Sequence, residues 1–546
     1  MSGEFAIPVT ARFLDSAGGR TPVSSNSLQA DERAIVDIYG DSDTTDYLVV
    51  GAGTAGCVVA SRLSEDPDVR VVLLEAGAAD GPEAMSVPWT WPRLLGTSVD
   101  WAYTTEPQTA LTGRDLDYPR GRVLGGTSSI NGMMHLRGHR ANYDGWSAAG
   151  ATGWGYEDLL PYFCRSEHAA GRDERYRGTG GPMIVTGAEE VAPFENAAFE
   201  AVAELGLPIS DDLNGADQDG VGWIDQNIVD GHRQSAADAY IRPVLADRPN
   251  LTVMAGAVVR GLVLSGGRCR GVEYVLDGVR RRIDATREVV LCAGAIGSPH
   301  LLMLSGIGPA DDLRRHRIDV VADLPGVGRN LQDHPMARVI RSGAGPVASS
   351  TEVHRVLGAL LRTTRTLDAP DVQIFFFDRP FYPATVPVGG YAVAVAAARP
   401  HSRGTVTLAS ADPTVAPRID PGLLTDDRDV AVLLAGLQMA REIAGTRALA
   451  GWSEQELRPG PDIQDRPRLR EYLRESVHSG AHPAGTCRIG DDEQAVVDTE
   501  LRVRGVTHLR VADASVMPDL VGANPNATVL AIGERAAALI RDRRAA

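Results

Sequence analysis

The sequence predicts an α/β chain whose first unit is built on a doubly wound parallel sheet. Three observations carry this. Tyr47-Leu48-Val49-Val50 is a short apolar run, a glycine-rich turn follows it directly, and a second apolar run from Val69 to Leu74 ends on an acid, Glu75. A short apolar run bounded by turn residues reads as a strand buried on both faces. The helix-compatible stretch from about Cys57 to Leu63 lies between the two runs, so strand, turn, helix and strand follow one another within about 30 residues, the span of one βαβ unit.

Each part of the turn Gly51-Ala52-Gly53-Thr54-Ala55-Gly56 has a physical task. Gly51 allows the tight turn, Gly53 lets the backbone approach a pyrophosphate, and Gly56 permits close packing of helix on strand. The helix start, at Thr54 and Ala55, offers free N–H groups and a partial positive charge to phosphates. Glu75 lies 19 residues beyond Gly56, followed by Ala76. A carboxylate there accepts both ribose hydroxyls and repels a 2′-phosphate, which favours FAD or NAD over NADP.

Further along, Val289-Val290-Leu291 reads as a strand entering a Gly/Ser/Pro turn at Gly294 to Pro299, with a helix from about His300 to Leu304. Leu509-Arg510-Val511 is another short strand, followed by Asp513 and Ala514, and helical periodicity returns from Thr528 to Ile540. Longer mixed segments separate these pieces. The expected organisation is a discontinuous dinucleotide domain (46–154, 246–338 and 476–546) with a second domain inserted (155–245 and 339–475). Residues 1–45, rich in Ser, Thr, Asp and Gly, are expected to form a leader or an arm.

Composition removes several function classes. With 546 residues, 43 % hydrophobic and 23 % charged, the chain is ordinary for a globular protein, and its net charge of −17 argues against a nucleic-acid partner. All 54 basic residues are arginines, which excludes chemistry that needs a lysine amine. The five cysteines are widely spaced, without a CxxC pair, which fits a reduced, cytoplasmic setting. No signal peptide or membrane span is expected. Neither metal-ligand spacing nor a GxSxG elbow is present.

Four ordered segments carry a family resemblance. Gly121-Arg122-Val123-Leu124-Gly125-Gly126-Thr127-Ser128-Ser129-Ile130-Asn131 resembles the first signature of the glucose–methanol–choline (GMC) oxidoreductases, and Gly294 to Gly308 resembles the second. Gly326-Val327-Gly328-Arg329-Asn330-Leu331-Gln332-Asp333-His334 is similar to their continuation, and His482-Pro483-Ala484-Gly485-Thr486-Cys487 to the family's catalytic-histidine segment. The resemblance runs from about residue 46 to the end and is nearest the choline dehydrogenase-like and small-alcohol oxidase branch. It implies a Rossmann-type FAD domain with an inserted α+β substrate domain on an antiparallel sheet. It also implies bound FAD, oxidation of an alcohol to a carbonyl by hydride transfer to flavin N5, and oxygen or another acceptor as the final oxidant.

The resemblance also assigns residues. Arg122, Gly125, Gly126, Ser128, Asn131 and Gly132 would contact the FAD, with Val258 near the adenine and Asp513 and Ala514 near the ribityl and pyrophosphate. Asn526 and Thr528 would border the isoalloxazine. Asp513 has the alternative of capping a helix or turn. His482 would be the general base, since an imidazole titrates near neutrality. Asn524, with Asn526 as its rival, would bind the substrate oxygen. Tyr118 stands where some relatives carry a flavin-linked histidine, so FAD should be non-covalent. His135 and Ala481 depart from the usual residues and could shape the pocket. Phe375 and Phe377 share one face of an expected strand over Asp371–Phe377, with Phe376 on the other, and Trp223 is a further candidate pocket wall. A flavin-containing lyase resembling hydroxynitrile lyases, and a non-redox flavin-binding partner, remain alternatives.

Overall fold

The computed structural model describes residues 43–186, 191–343, 356–378 and 390–545, so residues 1–42 of the expected leader lie outside the described residues. The opening strand starts earlier than expected, at Asp43, and runs to Val50. It sits in the middle of a seven-stranded sheet. Val50 pairs in parallel with Leu74 on one side and Leu291 on the other. Beyond the Val71–Glu75 strand lies Leu251–Ala255, also parallel, with Ala255 opposite Glu75. On the other flank, Val279–Leu291 continues into an antiparallel meander with Arg268–Leu276 and Val258–Ser265, while its last residues pair in parallel with Leu509–Val511. Leu48, Val49, Val289 and Val290 are fully buried, as the unbroken apolar runs require.

The helix after the turn spans Thr54–Leu63, and the C-terminal helix Asn526–Ala545 packs on it. Arg62 and the fully buried Glu534 join the two helices at 2.8 Å. The C-terminal helix begins two residues before the expected Thr528. The helix after Leu291 differs more: it spans Gly294–Leu304, so the Gly/Ser/Pro stretch expected to be a turn is its first half. Pro299 lies inside it and cannot donate to the carbonyl of Ala295 four residues earlier. That carbonyl instead accepts from the Thr486 hydroxyl at 2.6 Å. A partner distant in sequence thus removes the cost that made a turn the natural local reading.

The second sheet has eight antiparallel strands. In order, Glu456–Arg458, Pro335–Ser342, Gly390–Ala397, Val372–Phe377, Val356–Leu361, Gly220–Gln226 and Met134–His135 lie side by side, and His478–Ser479 pairs with the start of Pro335–Ser342. One face packs on helices, chiefly Asp427–Ala444, whose Gly436 lies against Val395 and Val372. The other face carries Ile224, Met336, Phe375, Ala394 and Ala396, and Ala523 packs against it.

The two sheets belong to one compact unit, and the expected boundaries cut across its cores. Tyr156, Leu159, Phe163 and Tyr240 belong to the core of the first sheet although they fall in 155–245, while Met134 and His135, within 46–154, are strand residues of the second sheet. The reason is that residues 156–166 form a helix that docks on the C-terminal helix, a contact no local pattern encodes.

A buried ionic cluster ties these segments together. Glu167 receives Arg137 Nη2 and Arg177 Nε at 2.7 Å each and His135 Nε2 at 3.0 Å, and Arg177 also reaches Asp225 at 2.8 Å. Burial alone would raise the Glu167 pKa, but Arg137, His135 and Arg177 outweigh it and hold the carboxyl well below its ordinary range. Removing one partner leaves buried charges unpaired. Glu167→Ala should therefore lower unfolding free energy by about 3–5 kcal/mol, read by denaturant titration of the purified protein. A loss within about 1 kcal/mol, the range of an exposed pair, would contradict this account.

Candidate active site

The first sheet opens a crevice where its strand order changes direction, at the carboxyl ends of Asp43–Val50 and Val279–Leu291. Gly51 turns there with φ +97°, and a Cβ on it would stand 2.6 Å from the carbonyl oxygen of Cys292. The helix that follows has Gly53 as its N-cap, and no side chain caps it, so its first N–H groups are open to a ligand. Ala55 and Gly56 lie buried in its first turn. Gly126, at φ +54°, meets Gly53 so closely that a Cβ on it would lie 2.6 Å from the Gly53 Cα. Gly125 N–H donates to the Ala52 carbonyl at 2.8 Å. The two glycine turns, separated by about seventy residues, are therefore joined backbone to backbone.

Glu75 is buried at the same end of the sheet. Its oxygens accept from Ala52 N at 2.9 Å and Gly77 N at 2.8 Å. Burial pushes its pKa up to about 7, against the pull of these N–H groups and Arg122. The Arg122 guanidinium covers the Trp101 ring at 4.9 Å. Gly256 N–H donates to the Gly77 carbonyl at 2.7 Å, so Val258, two residues on, stands with Ala76 at the Glu75 end. Asn131 Oδ1 accepts from Met133 N and from Arg233, and the nearest side chain to a Cβ on Gly132 would be Trp91.

At the crevice wall Thr54 Oγ1 donates to Asn526 Oδ1 at 2.8 Å, and the buried Asn526 Nδ2 has no partner among the described residues. Uncapped helix N–H groups, an orphaned amide donor and a cradle that a single Cβ would fill suit the phosphates and polar edge of FAD. Three of the expected contact residues have side-chain partners within the chain. The Ser128 hydroxyl turns inward, donating to the Gly125 carbonyl at 2.6 Å and accepting from Ala236 N. The Thr528 hydroxyl bonds Tyr143 at 2.8 Å. Asp513 takes its capping alternative, accepting from Gly294 N, Ser298 and Ser515 N, with Ala514 opening the short helix it caps.

The catalytic candidates come together. The His482 Nε2 lies 3.3 Å from Asn524 Nδ2, and Asn524 stands two residues before Asn526. On its other side His482 Nδ1 lies 2.9 Å from His334 Nδ1, while His334 Nε2 lies 3.1 Å from the Ala398 carbonyl. A carbonyl only accepts, so His334 carries its hydrogen on Nε2. Burial lowers the His334 pKa to about 4, so its Nδ1 is a lone pair and His482 must donate from Nδ1. Burial, then His334 and Arg120, hold His482 well below the ordinary histidine value. The neutral His482 therefore presents its Nε2 lone pair beside Asn524. Asp333 fixes both backbones, accepting from His334 N at 2.8 Å and His482 N at 2.9 Å. Ala481, at φ +60°, gives its carbonyl to Arg120.

Phe375 and Phe377 stack with centroids 6.1 Å apart on the sheet face that meets Ala523, next to Asn524. Two pocket expectations are corrected. Trp223 stacks on Phe199 and faces the helix layer, because its neighbour Ile224 takes the pocket face of the strand. His135 is 1 % exposed and belongs to the Glu167 cluster. Sequence reasoning missed the roles of His334, Asp333 and Gln373. The first two end a quoted motif, and Gln373 is a lone amide in an apolar strand, on the face of Phe375 and Phe377; its Nε2 donates to Asn524 Oδ1 at 3.0 Å.

A methyl group on Gly126 would force the two glycine turns apart. Gly126→Ala should weaken binding of the flavin dinucleotide at least about tenfold, the equivalent of roughly 1.4 kcal/mol from backbone strain of ~1–3 kcal/mol. The ratio of visible to ultraviolet absorbance after purification, and titration with FAD, measure it.

Two family models, both described as GMC oxidoreductase, match residues 45–336 and 400–533. The chain is 40 % identical over 547 residues to the mitochondrial choline dehydrogenase of Homo sapiens, covering 93 % of this chain and 92 % of that one. It is 39 % identical over 521 residues to an oxygen-dependent choline dehydrogenase of Brucella anthropi, covering 90 % and 94 %. Among solved structures, a pyridoxine 4-oxidase from Mesorbium loti superposes with a TM-score of 0.88 at 37 % identity, covering 92 % of this chain and 99 % of that one. A variant of formate oxidase from Aspergillus oryzae RIB40 gives 0.85 at 27 %, covering 93 % and 99 %. Motifs, crevice and relatives agree that this chain belongs to the GMC oxidoreductases, the FAD-dependent enzymes that act on CH–OH donors.

Proposed function

We propose that His482 is the general base for alcohol oxidation and that Asn524 binds the oxygen of the same hydroxyl group. The observation that carries this reading is the Nε2 lone pair of His482, held beside the Asn524 amide donor at 3.3 Å. The FAD of this family, when bound, supplies the acceptor for the hydrogen that leaves carbon with its electron pair. An alcohol against the Phe375–Phe377 face gives its hydroxyl proton to His482 Nε2. Asn524 Nδ2–H polarises that oxygen and steadies the negative charge developing on it. The cation forming on His482 keeps its Nδ1–H on the His334 lone pair, which stabilises it. Gly51, Gly53, Thr54, Gly126, Glu75, Arg122 and Asn526 would hold the cofactor. Tyr118 is buried with its hydroxyl near Asp333, which supports non-covalent binding.

Oxygen or another electron acceptor is the second substrate. The cysteines of the chain are free and four are buried, which supports a reducing, cytoplasmic setting. Among the described residues no helix is long and apolar enough to cross a membrane.

The test is the visible spectrum of the purified holoenzyme mixed without air with alcohols. Choline and pyridoxine are included because similar proteins carry those names, beside aliphatic, benzylic, furanic and polyol candidates. Bleaching by one of them supports the reading. Retained colour with all of them, together with cleavage of a cyanohydrin, would overturn it in favour of a lyase. With a bleaching alcohol in hand, His482→Ala should keep its flavin and lose about 10²–10⁴ in kcat; unchanged turnover would refute the base.

The depressed pKa of His482 also predicts a pH profile. A base works when unprotonated, and the enzyme loses activity as pH falls through its pKa. Because that value lies well below 6.5, kcat/KM should stay level as pH drops through 6.5 and decline only at more acid pH. An acid limb centred at or above 6.5 would contradict the burial argument.

A further inference from the structure

We propose that Gln373 is a positioning residue that decides which end of the Asn524 amide faces His482; this rests on the base assignment above. An asparagine side chain can turn over at little cost in shape, exchanging Oδ1 for Nδ2. Only one orientation serves here. His482 presents a lone pair at Nε2, so Oδ1 in front of it would set two acceptors together and would repel the oxygen that is losing its proton. Nothing in Asn524 itself prefers the useful orientation.

His482 favours the useful orientation from one side, and Gln373 holds it from the other. Gln373 sits in the strand Val372–Phe377, is 1 % exposed, and its Nε2 lies 3.0 Å from Asn524 Oδ1. Its own Oε1 is buried with no hydrogen-bond partner among the described residues, so its fixed contact is the one its Nε2 makes with Asn524. A buried acceptor left unpaired is a cost that an apolar side chain of similar shape would avoid, which points to a demand for the donor.

The hydrogen bonds then all run one way. Gln373 Nε2–H donates to Asn524 Oδ1, Asn524 Nδ2–H to His482 Nε2, His482 Nδ1–H to His334 Nδ1, and His334 Nε2–H to the Ala398 carbonyl. Both ends are anchored on adjacent strands. Gln373 pairs with Ala396, and Ala398 N–H donates to the Asp371 carbonyl at 2.8 Å. A carbonyl that cannot donate closes one end, so each bond counted from Ala398 has one direction, and the Gln373 amide, through its Nε2–H, supplies the donor that the Asn524 Oδ1 then needs. Each bond in such a series polarises the next.

Two substitutions test this, compared after the flavin spectrum has shown the cofactor bound. In Gln373→Glu the ionised carboxylate cannot donate, so Asn524 turns its Nδ2 toward it and its Oδ1 toward His482. We expect kcat to fall at least tenfold near and above neutral pH, with KM changed less than threefold. Apolar surroundings raise the pKa of the introduced carboxyl, and its protonated form donates again. Turnover of this variant should therefore rise as pH is lowered from neutrality, over a range in which the parent enzyme stays level. Gln373→Met, with no donor at any pH, should show the loss without the acid recovery.

A parent-like kcat and pH profile in either variant, with His482→Ala inactive, would overturn the positioning role while leaving the base assignment intact. So would a raised KM with unchanged kcat, the mark of a simple pocket wall. If His482→Ala itself turned over normally, the base assignment would be the part that failed. Should Gln373→Met not retain flavin, the pH response of Gln373→Glu decides alone.

Discussion

The site depends on backbone approaching backbone more closely than any side chain permits. Gly53 and Gly126 meet at a distance where a single Cβ would intrude to 2.6 Å, and Gly51 turns against the Cys292 carbonyl in the same way. These contacts bring the N-terminus of Thr54–Leu63 and the turn at Gly126–Ser129 to one crevice, with uncapped N–H groups on both. An anionic cofactor would be received there by the orphan donors and helix N-terminus that the close approach brings together, with the Asn526 amide beside them.

The second sheet is tied to this crevice by a few long-range bonds, each of which solves a local problem. Thr486 satisfies the carbonyl that Pro299 leaves open, and so links the catalytic-histidine loop to the helix after the central strand. Thr54 holds Asn526, which positions Asn524 two residues away. Asp333 takes the backbone N–H groups of both His334 and His482. The proposed reacting groups are thus located by polar contacts in which one partner would otherwise be unsatisfied. Such contacts are directional and fix geometry better than apolar packing does.

What could be read from the sequence follows from this division. The Tyr47–Glu75 unit was legible because turn, strand and helix are encoded by adjacent residues, and the alternation of Phe375, Phe376 and Phe377 was legible because a strand has a period of two. The helix over Gly294–Leu304 was not, since its Pro299 is tolerated through a residue nearly two hundred positions away. His482 and Asn524 were reached by resemblance, and their meeting is geometric. His135 and Trp223 misled for opposite reasons: one is a polar residue satisfied by a buried cluster, the other an aromatic whose strand register sends it to the helix layer. Gln373 carried a signal that went unused, an amide in an otherwise apolar strand on the pocket face.

The electrostatics of the site have a common logic. Full burial penalises charge, and each charged group beside the histidines is held by several donors or acceptors: Asp333 by two N–H groups and Ser479, Arg120 by the carbonyls of Pro119 and Ala481. The histidines stay neutral. A neutral pair on a carbonyl anchor has a single tautomer, so the proposed base needs no proton rearrangement before it acts. The same depression of pKa makes His482 a weak base, and a weak base removes an alcohol proton only if the oxygen is stabilised as the proton leaves. In the proposed mechanism Asn524 provides that stabilisation, and only with its amide the right way round. Base strength, amide orientation and the anchoring carbonyl are therefore one constraint: a His482 buried deeply enough to be neutral requires a donor beside it, and that donor requires a fixed partner of its own.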